Sequence, residues 1–375
     1  MRRRDGSRES VWDLYFLALI LAWRDLFSSP AAPSPLWRKK GAVAVLLLVV
    51  AVVVMGCQGG EKQPQGEQVE KVSVGLVLSV GGLGDKSFND SAYEGLTRAA
   101  RDLGIDPIYG QPEQMAEDEK YLRQYAEQGM DLVIAVGFLM KDALDKVAGE
   151  FPDTRFAIID AVVERPNVAS LVFREHEGSF LVGAIAGLVT NTDKVGFVGG
   201  MDIPLIHKFE VGYAEGVRYV NPVAEVFIAY AGSGPDAFHD PVKGKSLALS
   251  QFDRGADIIF QAAGSTGNGV IDAAQERGLF AIGVDANQNY MAPGHVLTSM
   301  LKRVDVSVFE IVKDLVQGTF KGGRHVYGLE IDGVGYALDE YNRDLIPPEV
   351  IERIGQIKQD IVSGRIQVTD YTAIR

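Results

Sequence analysis

From Val72 onward, short apolar runs alternate with segments whose apolar residues fall at helical spacing. Val72, Val74, Leu76, Val77, Leu78 and Val80 form a β-branched run that predicts a parallel strand covered on both faces. Gly81, Gly82 and Gly84 follow as a sharp turn able to approach a ligand closely. Ser87, Asn89, Asp90 and Ser91 are capping types ahead of a helix carrying Leu96, Ala99, Ala100 and Leu103, with Gly104 as its stop. Further buried strands are expected at DLVIAVG (131–137) and RFAIID (155–160), with helices at 117–128 and 140–150. A long helix at 178–190 leads to a second series of strands, at 194–200, 226–230, 257–260 and 280–285, with helices between them. This is βαβ alternation carried out twice, an α/β chain with two Rossmann-like lobes. Beyond Asp285 the pattern predicts a strand at 296–301, a helix at 304–317, a hairpin at 327–338 and a last helix at 349–363. Those final elements fit a chain that crosses back to the first lobe and returns to the second. The expected division is residues 71–175 plus 286–318 for the N-terminal lobe, and 176–285 plus 319–375 for the C-terminal lobe.

The start of the chain follows a different pattern. Arg38, Lys39 and Lys40 precede an unbroken apolar run from Ala42 to Val54, then Met55, Gly56 and Cys57. A charged segment, an apolar segment of this length and a small residue before the cleavage point read as a secretory leader, residues 1–56. Val54-Met55-Gly56-Cys57 resembles a bacterial lipobox, in which the cysteine is lipidated and becomes the new N-terminus. Acyl chains buried in a bilayer then hold the rest of the chain at the extracytoplasmic face of the cell membrane. The alternative is an uncleaved anchor, short against the ~20 residues of an ordinary span. Residues 57–70 are polar and Gly/Gln-rich, as a flexible tether should be. Residues 1–36 are unusual for such a leader, and translation starting near Leu36 would account for them.

Composition narrows the function. Of 37 Lys/Arg and 50 Asp/Glu, eight and four lie in residues 1–56, which leaves the remainder at −17. So acidic a surface repels phosphodiester backbones and argues against nucleic-acid binding. Cys57 is the single cysteine, so no intrachain disulfide can form. The five histidines lie about thirty residues or more apart, which leaves no local zinc motif. Ligands of open α/β sheets sit at the carboxyl ends of strands. There Asp85, Phe88 and Asn89 offer a charge, a flat apolar face and a bidentate amide to a small polar molecule with a planar ring. GGLGDKS at 81–87 approaches a phosphate-binding loop but has Asp85 where glycine is required, and a carboxylate there repels phosphate. Ser265 lies in GSTGNG, not in a G-x-S-x-G nucleophile elbow. No catalytic constellation and no cofactor motif emerges, so the chain reads as a binding protein rather than an enzyme.

Several segments together resemble a known family. GDKSFNDSAYEGL (84–96), the strand ending at Asp160, KVGFVGGM (194–201), DPVKGKSLA (240–248), AAGSTGNGV (262–270) and GVDANQNYMAPGHVLTSMLKRVD (283–305) are similar to the basic membrane protein family. These are PnrA-like substrate-binding lipoproteins of ABC transporters. The resemblance implies a type I periplasmic-binding-protein fold whose lobes close on a purine nucleoside, which passes to an ABC permease. It also implies roles for individual residues. Phe88 and Phe238 would stack on the two faces of the base, and Asn89 and Asp160 would bond its edge. Asp285 would accept from the ribose hydroxyls, and Lys302 would donate on the ribose side. Gly264 would allow close backbone contact, and Asp85 would either fix the first turn or touch the sugar. Asn287 stands where the family commonly has aspartate. Each residue also has a purely structural reading: Phe88 as a hydrophobic staple, Asp160 and Asp285 as strand-end caps, Lys302 as a solvated charge, Phe238 as loop packing. Other ligands compatible with the fold are a riboflavin-like heterocycle, a free base or a sugar-derived signal. Other functions are surface adhesion or signalling, and nucleoside hydrolysis.

Overall fold

The structure is a computed structural model describing residues 71–373. The leader, the tether and Cys57 lie outside the described residues. Two six-stranded sheets form the frame. The first is built from β1 (Ser73–Val77), β2 (Asp106–Gly110), β3 (Leu132–Ala135), β4 (Arg155–Ile159), β5 (Val168–Phe173) and β11 (Gly323–Tyr327), in the order β2-β1-β3-β4-β5-β11, all parallel. The second contains β6 (Lys194–Met201), β7 (Glu225–Gly232), β8 (Ile258–Ala262), β9 (Phe280–Asp285), β10 (Val296–Lys302) and β12 (Val334–Tyr336), in the order β7-β6-β8-β9-β10-β12. The topology repeats between lobes, except that β12 runs antiparallel to β10.

Alternation within strands accounts for the layers. Leu132 and Ile134 of β3 join one hydrophobic cluster while Val133 and Ala135 join another. On one side stand α1 (Phe88–Leu103) and α8 (Val304–Val316), through Leu96, Ala99, Val308 and Ile311. On the other stand α2 (Asp118–Glu127) and α3 (Lys141–Glu150), through Leu122, Leu144 and Val147. The second sheet is sandwiched likewise. One face carries α4 (Glu175–Val189), α5 (Pro204–Val220) and α9 (Pro348–Val362); the other carries α6 (Pro241–Asp253) and α7 (Thr266–Arg277). Strands buried on both faces need continuous apolar runs, as the sequence supplies. Gly104 ends α1 in the left-handed conformation, φ 70°. Among the described residues no helix is long and apolar enough to cross a membrane.

The chain passes between lobes three times: from β5 to α4, from β10 to α8, and from β11 to β12. The passages are laced together, Arg174 N–H donating to Tyr327 O (3.0 Å) and Arg303 N–H to Gly333 O (2.9 Å). Here the structure departs from the expected lobe boundaries. Residues 296–302 were expected in the first lobe, yet β10 pairs with β9 in the second sheet, and α8 alone of that segment's regular elements joins the first lobe. Residues 323–327 were expected in the second lobe but complete the first sheet. The hairpin at 327–338 is instead a crossing, since β11 and β12 belong to different sheets. A strand buried on both faces advertises burial, not the identity of its neighbour. β2 and β5 are strands that the sequence pattern does not predict, and of β11 it predicts only the last residue, Tyr327.

Candidate functional site

The carboxyl ends of both sheets face one cavity, where ligands of open α/β sheets sit. Asp85, Phe88, Asn89, Asp160, Phe238, Gly264, Asp285 and Lys302, the eight residues singled out in the sequence, all line it. Phe138, Leu205, Ile206 and Phe209 add apolar wall. The first lobe contributes the loop after β1, the start of α1 and the ends of β3 and β4. The second contributes the start of α5, the loop after β7 and the ends of β8, β9 and β10.

Asp160 and Asp285 end the fourth strand of their respective lobes. Both hold positive φ, 67° and 62°. That region is costly for a residue with a Cβ and concentrates at functional sites. Asp285 is buried and accepts from Ser87 Oγ at 2.6 Å. Burial pushes its carboxyl up to about 6, against the pull of Lys302 and the Ser87 bond. Asp160 Oδ2 lies 2.5 Å from Lys302 Nζ, and its buried Oδ1 has no partner among the described residues. Burial raises Asp160 too, with Lys302 opposing.

Lys302 is 2% exposed, which removes the reading of a solvated charge. Its ammonium sits 4.9 Å from the Phe88 ring centroid, 5.1 Å from Phe173 and 5.7 Å from Phe209. Glu175 lies 3.6 Å away and pairs with Lys208, which also donates to Phe173 O (2.6 Å). Burial works against the charge on Lys302, but Asp160, Glu175 and Asp285 outweigh it and raise its pKa. Burial likewise opposes ionisation of Glu175, yet Lys208 and Lys302 outweigh it and hold that carboxyl below its usual range. Buried ion pairs seldom repay their desolvation, so a cluster of this kind beside a cavity marks a site better than it explains stability.

Asp85 and Asn89 depart from their simplest readings. Asp85 accepts the N–H groups of Ser87 (2.9 Å), Asn89 (2.8 Å) and Asp90 (3.2 Å), so its carboxylate caps α1 and fixes the first turn. Burial raises its pKa despite these donors. Asn89 Oδ1 accepts from Ser79 N–H (2.9 Å), whereas Nδ2 makes no hydrogen bond among the described residues. Asn89 therefore meets the cavity as a donor, not as a two-way amide. Asn287 bonds Asp339 (2.6 Å), away from Asp285. Phe238 fills the space above Gly200, where a Cβ would come 2.2 Å from its ring. It meets Phe138 of the other lobe edge-on, centroids 6.4 Å apart. Asn268 Nδ2 reaches Asp85 O across the cleft at 3.4 Å, so the molecule is closed. Gly264 (φ 56°) precedes α7, whose N-terminus turns toward the cavity wall. Among the described residues no cluster of His, Cys, Asp and Glu could hold a metal ion.

Phe138 was legible in principle: it follows Gly137 just past the end of β3, at the carboxyl end of the sheet. Glu175 and Lys208 carried no signal, since a helix-start glutamate and a mid-helix lysine ordinarily face solvent.

Two lobes joined by three passages and closed over such a cavity form an architecture shared with solute-binding proteins of ABC transporters. A crystal structure of an ABC-transporter solute-binding protein from Aeropyrum pernix K1 is similar at TM-score 0.75 and 34% identity, over 81% of this chain and 96% of that one. Residues 71–372 match the Bmp family, PnrA-like ABC transporter substrate-binding proteins, and the chain belongs to it. Its partners by class are therefore a small-molecule solute and an ABC permease. It is 31% identical, over 87% of this chain and 97% of the relative, to the ABC transporter nucleoside-binding protein BmpA of Lactococcus lactis. It is 35% identical, over 87% of each, to an uncharacterized lipoprotein of Pyrococcus horikoshii.

Proposed function

We propose that this protein, anchored to the outer face of the cell membrane through lipid on Cys57, captures a purine nucleoside and delivers it to its permease. The observation that carries the reading is that Phe88 and Phe238, from opposite lobes, line the same closed cavity as Asp285. Aromatic faces select a planar heterocycle over a bare sugar. An ionised carboxylate with lone pairs to spare suits vicinal hydroxyls. Asp160 Oδ1 awaits a donor and Asn89 Nδ2 an acceptor, the mixed edge that a 6-oxopurine presents. Asp85, Asp160 and Asp285 against Lys302 leave the cavity short of positive charge, which favours a neutral guest over a phosphorylated one. The nucleoside named for the Lactococcus lactis relative points the same way. The solute-binding character of the family and of the similar crystal structure supports binding and release as the activity.

Native mass spectrometry of the protein as purified, followed by calorimetry with inosine, guanosine, adenosine, hypoxanthine and ribose, tests this. A copurified nucleoside and tighter binding of nucleosides than of base or ribose are expected. Preference for a free base or an unrelated heterocycle would overturn the nucleoside assignment. Release of base on prolonged incubation would overturn the absence of catalysis.

A further inference from the structure

Ser87 stands where a serine ordinarily caps the helix that follows it. Here φ is −144° and ψ −113°, and the hydroxyl makes no cap bond to α1. Asp85 has taken over that duty, which frees Ser87 Oγ. The fully buried side chain donates instead across the cleft to Asp285 Oδ2, at 2.6 Å. The residues before it are held from the same side. Lys86, at φ 60°, has its carbonyl bonded by Gln288 Nε2 (3.0 Å), and the Asp85 carbonyl accepts from Asn268 Nδ2 (3.4 Å). Three consecutive residues of the first lobe thus each bond a side chain of the second. Gln288 is itself fixed, its Oε1 accepting from Gln261 Nε2 and Val284 N–H, both at 2.9 Å.

We propose that Ser87 is a positioning residue that holds the Asp285 carboxylate for the ligand's hydroxyls only when the lobes are closed, and so couples closure to ligand grip. This rests on the nucleoside reading of the site. A carboxylate accepts several hydrogen bonds, so one from Ser87 orients it and leaves capacity for the guest. In an opened molecule Ser87 withdraws with its lobe and the carboxylate loses that guide. The guest then meets a complete acceptor in the closed state alone, the differential contact that a population shift requires.

The coupling has a pH signature. Asp285 is faced by Lys302 from β10, Asp160 from the end of β4 and Asp85 from the loop before α1, with Glu175 and Lys208 behind Lys302. The Ser87 bond favours the ionised form, so removing the hydroxyl raises the pH below which the guest loses its acceptor.

Calorimetry with inosine between about pH 5 and 8 on the full chain decides the matter, for wild type, Ser87→Ala, Asp285→Asn and the double variant. Ser87→Ala is expected to weaken binding roughly tenfold at neutral pH and to move the pH midpoint upward. In the Asp285→Asn background the same change should cost less than about twofold. Superimposable pH profiles, or additive losses in the double variant, would overturn the proposal. If wild type takes up no inosine, the nucleoside reading falls, and hydrogen exchange without ligand judges the coupling by itself. Faster exchange at residues 85–91 in Ser87→Ala than in wild type supports it; equal rates overturn it.

Discussion

At the scale of the residue, Asp285 sets function against stability. Its folded carboxyl titrates at about 6 rather than the ordinary 3.8 because burial disfavours the charge. A carboxyl raised in the folded state binds its proton more readily there than in the unfolded chain. Its ionisation therefore erodes stability as pH rises between the two values, and the cost is complete above the higher one. Asp285→Asn should consequently stabilise the unliganded protein above pH 6 by about 1–3 kcal/mol, an advantage that vanishes below about pH 4. Thermal melting across that range checks it. The same substitution should weaken inosine binding by more than tenfold, read by calorimetry. Phe88→Ala removes one face of the stack and should cost more than ~1 kcal/mol of binding, with little loss of melting temperature because the ring is only partly buried. Asp85, Phe88 and Asn89 could be read from the sequence because a glycine turn and capping residues mark the helix start, whereas Asp160, Phe238, Gly264, Asp285 and Lys302 were implied by the family resemblance. Ser87 could be read too, but only as a cap; that its hydroxyl had been displaced from that duty depends on Asp85.

At the scale of the element, the strongly periodic segments match the structure, and two of the strands that the pattern missed, β2 and β5, have physical excuses. β2 is an edge strand with Asp106 and Pro107 exposed, and edges are where charges and proline belong. β5 is buried throughout, yet VASLVF is a short apolar run, broken by Ser170, that follows β4 with no helix between them. The pairing of α4 with α5 was invisible as well. Gly212 lies against the backbone of α4, and a Cβ there would come 2.3 Å from His176 O. Gly212→Ala should destabilise by roughly 1–3 kcal/mol through overpacking. Gly355, in α9 with open space around its Cβ position, is the matched control. Gly355→Ala should stabilise by about 0.5–1 kcal/mol. Chemical denaturation of the two variants checks both signs; equal effects would remove the packing argument.

At the scale of the whole molecule, the cavity exists only because the chain passes three times between its lobes and lets the carboxyl ends of two sheets face each other. Ligand should hold that closed arrangement, so inosine is expected to slow hydrogen exchange at residues 84–91 and 284–290 together, whereas ribose should not. Nucleoside 5′-monophosphates should bind at least about a hundredfold more weakly than the nucleoside, since three carboxylates meet the added charge; calorimetry with the paired ligands tests this. Local pattern alone determined that there are two α/β lobes, where most of their strands end, and that Asp85, Phe88 and Asn89 stand at one such end, because burial, turns and caps are written in residues a few positions apart; the other residues singled out for the site came from the family resemblance. Local pattern could not determine that β10 belongs to the second sheet, that Lys302 is gripped by Asp160 and Glu175, or that Ser87 reaches Asp285. The contacts of Lys302 and of Ser87 join residues more than a hundred positions apart, while β10 pairs with the strand just before it in the chain; only the folded chain selects which buried strand or charge becomes whose neighbour.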